Sequence, residues 1–311
     1  MKIKNLLLLI ALATLWGPSF LIIKVAIVEI EPITLAALRI GIAALLLNLY
    51  VIPFRKTFVK DWKFWKHVTI AGFFAQALPF VLINWGEQYI DSALASILNG
   101  LTPIFTLLIA NFAVREDKMT TPKVIGTVLG FIGLIILISP TFQGGLSGST
   151  MGVIAVSIAA ISYGVALIYN RINLKNAPPL AAPASQLLVT SIYLVPLAWF
   201  IETPNLSAVS MEAYGAVLFL AAFGTALAFV IYFILLEKTS ASYVSQVTYL
   251  VPIFGVILGA IFLDESIYKE AIIGGGIILL GVLIINRSMK PKQITINNQK
   301  ETSPKNIAKA A

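Results

Sequence analysis

The sequence predicts an all-α integral membrane protein of about ten transmembrane helices, built from two inverted five-helix repeats. Three observations support this fold: an unusually apolar composition, a division of the basic residues between alternate connecting segments, and a weak internal repeat. Apolar residues make up 59% of the 311 positions and charged residues only 12%, whereas a soluble domain carries about 25% charged residues. A bilayer accepts such a chain because lipid requires no polar surface.

Ten apolar segments are long enough to cross a bilayer, which takes about 20 mostly apolar residues. They cover residues 6–28, 33–52, 68–89, 92–114, 123–139, 152–170, 183–201, 213–236, 242–263 and 267–286. The first segment follows Lys2 and Lys4 and contains Ala11-Leu12-Ala13, a pattern also found in secretory signal peptides. Because its apolar run continues to Val28, we interpret it as a membrane span.

The basic residues predict how these spans are oriented. If the N-terminus is cytoplasmic, 19 of the 22 lysines and arginines fall in cytoplasmic segments and only Lys269 falls in an outside loop. The other two, Lys24 and Arg39, lie within spans. The positive-inside rule therefore predicts ten spans with both termini in the cytoplasm. The net charge of +8 is explained by the membrane, and we expect no nucleic-acid partner.

The fourth and ninth spans carry an internal repeat. The segment Leu101-Thr102-Pro103-Ile104-Phe105 corresponds to Leu250-Val251-Pro252-Ile253-Phe254, and a glutamate follows each proline at the same distance. We therefore divide the chain into a first repeat at residues 1–140, a connecting loop at 141–150, a second repeat at 151–289 and a polar cytoplasmic tail at 290–311. Because five spans is an odd number, the second copy enters the membrane from the opposite side. Transporters of this architecture bind substrate near the bilayer midplane, between the halves.

Several short motifs follow one another in a fixed order. The first span contains Trp16-Gly17-Pro18-Ser19-Phe20 with Lys24, and the second contains Leu38-Arg39-Ile40. The two proline segments are followed by Arg115-Glu116 and Asp264-Glu265. In order and spacing these motifs resemble the drug/metabolite transporter superfamily, in particular its EamA-type family of ten-span proteins, over about residues 5–288.

This resemblance implies a carrier of the bacterial inner membrane, and many such carriers export amino acids and other metabolites. It also implies a central cavity lined by both halves, with the fifth and tenth spans towards the back, and no bound cofactor. The second half reads Asn170-Arg171 and Val189-Thr190 where the first has Lys24 and Arg39. We therefore expect no counterpart of either cation and no symmetric site.

Polar and aromatic side chains within the spans are the candidate substrate-binding residues. Helical spacing places Asn99 on a polar face of the fourth span and Gln246 on a polar face of the ninth, and Trp16 lies in mid-span, where tryptophan is unusual. The predicted cavity residues are Trp16, Lys24, Gln76, Asn84, Asn99, Tyr163, Tyr232, Gln246 and Tyr249. For each, helix-to-helix packing or hydrogen bonding is the alternative, and Lys24 can also extend to the membrane interface.

Pro103 and Pro252 each lack a backbone N–H in the middle of a predicted span. Their matched positions lead us to interpret them as hinges, with static helix curvature as the alternative.

The sequence lacks the motifs of several other functional classes. No GxxxxGK[ST] segment indicates ATP-driven transport, and with one histidine and no cysteine we predict no metal site and no enzyme. We therefore predict a secondary transporter of a small metabolite, driven by the substrate gradient or by protons, and acting as a monomer or weak homodimer. A flippase for a lipid-linked intermediate and a non-transporting scaffold are the alternatives.

Overall fold

The computed structural model describes residues 2–51, 59, 61–90, 92–114, 118–139, 150–177, 180–262 and 268–288. Fifteen helices in these ranges group into ten spans. The first half contains span 1 (α1, Lys2–Trp16, and α2, Ser19–Ala26), span 2 (α3, Pro32–Val51), span 3 (α4, Trp62–Gly72, and α5, Leu78–Gly86), span 4 (α6, Ser92–Asn99, and α7, Thr102–Ala113) and span 5 (α8, Thr121–Ile138). The second half contains span 6 (α9, Thr150–Asn173), span 7 (α10, Ala181–Glu202), span 8 (α11, Met211–Ala221, and α12, Ala228–Lys238), span 9 (α13, Ala241–Val244, and α14, Val247–Phe262) and span 10 (α15, Lys269–Ser288).

Eight of these spans are long and apolar enough to cross a membrane. Span 5 has a shorter apolar helix at Thr121–Leu137, and span 9 is described as far as Phe262. The predicted all-α membrane fold of about ten spans is confirmed. The predicted tail, and all but the last residue of the predicted connecting loop, lie outside the described residues.

Five spans are interrupted within the described residues. Span 1 breaks at Gly17-Pro18, because the proline has no N–H to donate within a helix. Span 3 contains a π-helical segment at Phe73–Ala77, and span 8 contains another at Ala222–Leu227. Spans 4 and 9 break at Gly100-Leu101 and Ser245-Gln246.

The two prolines that we interpret as hinges have different local settings. Pro103 lies in the first turn of α7, where a missing N–H costs nothing. Pro252 lies inside α14. Their role as hinges stays a prediction.

The π segments occupy equivalent positions in the two halves. The sequences Phe74–Val81 and Phe223–Val230 are identical at five of eight positions and differ at a sixth by the exchange of alanine for glycine. Their separation along the chain is the same as that of the two prolines. A π segment shifts the backbone register by one residue and exposes carbonyl groups to neighbouring helices. Both halves therefore retain the same irregularity in their third span.

Several contacts between spans are repeated when the spans of the first half are exchanged for the equivalent spans of the second. Span 3 packs on span 6 as span 8 packs on span 1, and span 4 packs on span 6 as span 9 packs on span 1. Spans 2 and 7 pack against each other, and so do spans 5 and 10. Each of these contacts therefore has its counterpart, as a two-fold relation between inverted repeats requires.

Spans 5 and 10 approach each other through glycines. A Cβ atom at Gly133 would lie 2.7 Å from the carbonyl oxygen of Gly274, and one at Gly274 would lie 2.5 Å from the carbonyl oxygen of Gly133. Gly126 and Gly281 face each other in the same way, at 2.6 and 2.5 Å. Because only glycine allows backbones to approach this closely, these residues fix the pair of helices in direct contact.

The alternating spans give the bundle two ends of opposite charge. We call the end that carries Lys63, Lys175 and Lys238 the basic end, and the end that carries Glu29 and Glu202 the acidic end. The orientation predicted above would place the basic end in the cytoplasm.

Candidate substrate cavity

A central cavity of about 90 Å³ lies between seven spans, near the middle of their length. Spans 1 to 4 and spans 6, 8 and 9 contribute to its wall, whereas none of the described residues of spans 5, 7 and 10 does. Its aromatic lining residues are Trp16, Phe20, Phe80, Tyr163, Phe229 and Tyr232. Its polar lining residues are Ser19, Arg39, Asn99, Thr102, Ser245 and Thr248. Both halves therefore contribute to one mostly aromatic chamber.

Four of the nine predicted binding residues lie on this wall: Trp16, Asn99, Tyr163 and Tyr232. The other five lie outside it. Asn84 donates to the carbonyl of Pro32 at 3.0 Å. Gln246 donates to its own helical turn, at the carbonyl of Ser242. These contacts join helices or turns, so for these two residues the geometry corresponds to the packing alternative.

Tyr249 and Gln76 are also buried away from the cavity. The Tyr249 hydroxyl donates to the carbonyl of Thr127 at 3.1 Å, and its ring rests on Gly130 of span 5. Gln76 is fully buried in the π segment of span 3, and neither of its amide atoms has a hydrogen-bond partner among the described residues. A binding role for either residue stays a prediction.

Arg39 is the charged residue of the wall, and we did not include it among the predicted binding residues. Its side chain is 5% exposed. Its Nε donates to the Thr225 hydroxyl at 2.7 Å and its Nη2 to the carbonyl of Gly224 at 3.2 Å. The guanidinium carbon lies 4.1 Å above the centre of the Phe80 ring, so stacking restrains the plane of the group as well.

The π segments are held by neighbouring spans. The carbonyl of Gly224 also accepts a hydrogen bond from the Trp16 indole at 2.9 Å. In the other half, the carbonyl of Phe74 accepts one from the Ser162 hydroxyl at 2.7 Å. Each π segment therefore places a carbonyl where the first span of the opposite half can bind it.

In each half, a cation on the first span binds backbone carbonyls at the end of the third span. Lys24 of span 1 donates to the carbonyls of Glu87 and, at 3.0 Å, Ile90, just after α5 ends. Arg171 of span 6 donates to the carbonyl of Leu236 near the end of α12. A cation at a helix C-terminus satisfies carbonyls that have no intrahelical partner and interacts favourably with the helix dipole. We call these two contacts the Lys24 clamp and the Arg171 clamp.

The clamps are equivalent, which corrects the expectation that Lys24 has no counterpart. Glu87 and Leu236 occupy matching positions of the repeats, with the same separation as the two prolines. Arg171 stands two residues before the position that matches Lys24, and both side chains reach carbonyls at the end of a third span. At the position that matches Arg39, the second half has Leu188.

The surroundings of the two clamps differ. Beside the Lys24 clamp, the Glu87 side chain is fully buried, next to the Ser92 side chain. Beside the Arg171 clamp, the Asn170 amide donates to the Tyr232 hydroxyl at 3.3 Å and accepts from Gln186 at 2.6 Å.

A second, larger cavity opens at the basic end. This crevice of about 630 Å³ lies between spans 2, 6, 7 and 8, and Lys175 and Glu237 border it. Asn170 borders the crevice, and Tyr232 borders the central cavity. The Asn170–Tyr232 hydrogen bond therefore lies between the two spaces. Within the described ranges, no cluster of three histidine or acidic side chains is placed to hold a metal ion.

Comparison with known proteins gives a consistent result. The EamA-like transporter family matches the chain twice, at residues 3–139 and 150–287. An uncharacterized transporter of Archaeoglobus fulgidus is 27% identical over 284 residues, which are 91% of this chain and 99% of that protein. The uncharacterized transporter YoaV of Bacillus subtilis is 26% identical, over 91% of this chain and 96% of its own length.

Two further similarities concern location and fold. The uncharacterized inner membrane transporter YedA of Escherichia coli K12 is 26% identical, over 89% of each chain. One protein crystal structure matches 92% of this chain and 97% of its own, with a TM-score of 0.76 and 18% identity. That likeness establishes the fold and carries no information about cargo.

Proposed function

Because the chain belongs to the EamA-like transporter family, and is therefore a multi-pass membrane transporter of a small molecule, we propose that it is a secondary carrier that exports metabolites such as amino acids by alternating access. We propose the bacterial inner membrane as its location, with both termini in the cytoplasm, and a monomer or weak homodimer as its working state. The inner-membrane relative YedA and the charge distribution of the sequence support the location. A transporter of this kind is not an enzyme.

The central cavity between equivalent clamps is the observation that supports alternating access best. Each clamp joins the first and third spans of one half, and the two clamps lie at opposite ends of the bundle. Opening one clamp while the other stays closed would expose the cavity to one side of the membrane. The reverse exchange would expose it to the other side, as the symmetry of inverted repeats allows.

The crevice supports a route between the cavity and the basic end. Tyr232 borders the cavity, Asn170 borders the crevice, and a hydrogen bond joins these two side chains. A rotation of span 8 that breaks this hydrogen bond would join the two spaces. In the proposed orientation, substrate would enter the cavity from the cytoplasm by this path.

Glu87 is the candidate for proton coupling, should transport be driven by protons. A buried carboxylate changes charge on binding a proton. Lys24 and Arg39 are the cations whose charges act on this carboxylate. A substrate gradient alone is the other energy source that we consider.

Counterflow in proteoliposomes tests the carrier proposal. Vesicles preloaded with one unlabelled amino acid should accumulate the same labelled amino acid, with saturation, for at least one member of a panel. Arg171→Gln should reduce the rate several-fold at equal protein content, and Lys269→Gln, which removes an exposed cation at the other end, should not. Absence of saturable flux for every amino acid and related metabolite tested would contradict the proposal.

A flippase for a lipid-linked intermediate is the second candidate, because the crevice is mostly apolar. Leu46, Tyr50 and Leu227 on its border are at least two-fifths exposed, as expected for a space that opens laterally towards acyl chains. Translocation of a fluorescent polyprenyl-phosphate sugar, without counterflow of any free metabolite, would favour this alternative. The central cavity argues against a non-transporting scaffold.

A further inference from the structure

We propose that Arg39 and Ser19 form a subsite for the carboxylate group of the substrate, and that the aromatic wall beside them holds an apolar body. The proposal specifies the substrate class of the carrier, namely carboxylates with an apolar body, and therefore rests on the proposed function. Its occupation can be measured without transport.

The guanidinium group of Arg39 retains capacity for an anion. A guanidinium has five N–H donors, and the two contacts described above use one on Nε and one on Nη2, both with neutral acceptors. Nη1 has no hydrogen-bond partner among the described residues. A buried charge without a hydrogen-bonded opposite charge is costly. None of the described residues on the cavity wall is acidic, and Glu87, whose carboxylate attracts the Arg39 guanidinium, lies outside the wall and accepts no hydrogen bond from Arg39 among the described contacts. An anionic ligand would supply both the acceptors and the charge.

Ser19 borders the same space as the guanidinium. Its hydroxyl is buried and has no hydrogen-bond partner among the described residues. A Cβ atom placed on Gly224 would lie 3.3 Å from the Ser19 hydroxyl and 3.5 Å from Nη2 of Arg39. The two groups therefore flank a point that stays open because residue 224 is glycine. A hydroxyl and a guanidinium that flank one open point can each donate a hydrogen bond to a carboxylate placed there.

The rest of the wall limits the body of the ligand. Trp16, Tyr163 and Phe229 offer aromatic surface for an apolar group. On span 4, Asn99 Oδ1 and the Thr102 hydroxyl are buried without hydrogen-bond partners among the described residues. These atoms can accept a hydrogen bond from an ammonium or hydroxyl group on the same ligand. An apolar amino acid satisfies both patches, whereas an amine without a carboxylate would be repelled by Arg39.

Thermal stabilisation of the full-length protein in detergent tests the subsite with matched ligands. Phenylacetate, phenylacetamide and phenethylamine share a ring and differ in charge, and isovalerate with isovaleramide repeats the comparison on a smaller body. L-Phenylalanine adds the zwitterion. We expect the acids and phenylalanine to raise the melting temperature with saturation. The amides should need at least about tenfold higher concentration, because they lose the charge-assisted contact, and phenethylamine should have no effect.

Variants within span 8 test the position of the subsite. Gly224→Ala adds a methyl group between Ser19 and Arg39 while leaving both in place, and should weaken acid binding about tenfold. Gly215→Ala is the matched control, because a Cβ atom there meets nothing within 4 Å. Arg39→Gln should abolish the preference for acids over amides. Because Arg39 also holds the π segment, its unliganded melting temperature is to be measured alongside.

Several results would overturn the assignment. They are equal stabilisation by phenylacetate and phenethylamine, no stabilisation by any acid of the series, or wild-type acid binding in Gly224→Ala. Failure of the carrier proposal is distinguishable: acids would still bind and discriminate, but no labelled compound would accumulate in proteoliposomes. Saturable flux of amino acids, together with equal binding of charged and uncharged ligands, would support the carrier proposal and contradict the carboxylate subsite.

Discussion

Spans 5 and 10 are equivalent spans of the two repeats, and so are spans 3 and 8, but the two sets differ in how their helices are built and packed. Spans 5 and 10 pack glycine to glycine, backbone against backbone, and no described residue of either span lines the cavity. Spans 3 and 8 each contain a π segment, and each places a phenylalanine, Phe80 or Phe229, on the cavity wall. One pair is suited to stay fixed and the other to change shape.

This difference indicates where motion can occur. Backbones in direct contact cannot slide without breaking many close contacts at once. A π segment, in contrast, already departs from the regular α-helical hydrogen bonds, and such segments are frequent at functional sites. We therefore infer that spans 5 and 10 form the axis about which the cavity walls move.

The largest expected effect comes from crowding the axis. In Gly274→Ala the new Cβ atom would lie 2.5 Å from the Gly133 carbonyl oxygen and from the Leu137 nitrogen. We expect a loss of about 3 kcal/mol in stability, as in other overpacked interiors, seen as a lower melting temperature. Gly276→Ala, two residues further along the same helix, meets nothing within 4 Å and is the control. Equal melting temperatures for the two variants would contradict the fixed-axis interpretation.

An intermediate effect is expected at the clamps, where the moving spans end. Arg171 is 9% exposed and Lys24 is half-buried, so lost hydrogen bonds should be replaced by water more readily at Lys24. We expect Arg171→Gln to cost about 2–3 kcal/mol and Lys24→Gln about 1 kcal/mol. Denaturation in mixed micelles checks this order, and a larger loss for Lys24→Gln would reverse our ranking of the two ends.

The clamps also permit a direct observation of opening. The natural sequence contains no cysteine, so Ser245→Cys on the cavity wall provides a single reactive thiol. In oriented vesicles, adding Arg171→Gln should increase its labelling by an impermeant maleimide from the basic side. Adding Lys24→Gln should increase labelling from the acidic side instead. Labelling from the same side in both double variants would show that the clamps do not act as opposite gates.

The smallest effect is expected at the acidic end, where hydrogen bonds between Glu29 and Ser210 join the two halves. Hydrogen bonds from the Ser210 hydroxyl, and then from its backbone N–H, lower the pKa of Glu29. A carboxyl whose pKa is lowered by folding stabilises the protein above its ordinary pKa of 4.5 and loses that contribution as the pH falls through the lowered value. The melting-temperature difference between wild type and Glu29→Gln should thus be constant above about pH 6 and shrink below about pH 4. As the control, Glu212→Gln on the neighbouring helix α11 is introduced into both the wild type and Glu29→Gln. The pH dependence of their melting-temperature difference should stay the same.

The sequence predicts the architecture well because the number of spans, the charge distribution and the repeated prolines all depend on residue type, which the sequence shows directly. The clamps could not be predicted, since their acceptors are backbone carbonyls and Arg171 stands two positions away from Asn173, the match of Lys24. Helical spacing identified the polar face of Tyr249, but not the neighbour that this face contacts. The repeated Ala-Leu-x-Phe-Val of spans 3 and 8 was the available signal for Phe80 and Phe229.

The glycine contacts of spans 5 and 10 have an evolutionary consequence, because they are reciprocal. Each span carries two glycines at the same spacing, Gly126 and Gly133 in span 5 and Gly274 and Gly281 in span 10, and the first of each span meets the second of the other. Such self-complementarity is characteristic of a homodimer with two-fold symmetry. An ancestral five-span chain with this face would have paired with a copy inserted the other way up. Fusion of two such copies would fix their ratio at one to one. It would also release each copy from symmetry, which agrees with Arg39 in one half and Leu188 at the matching position of the other.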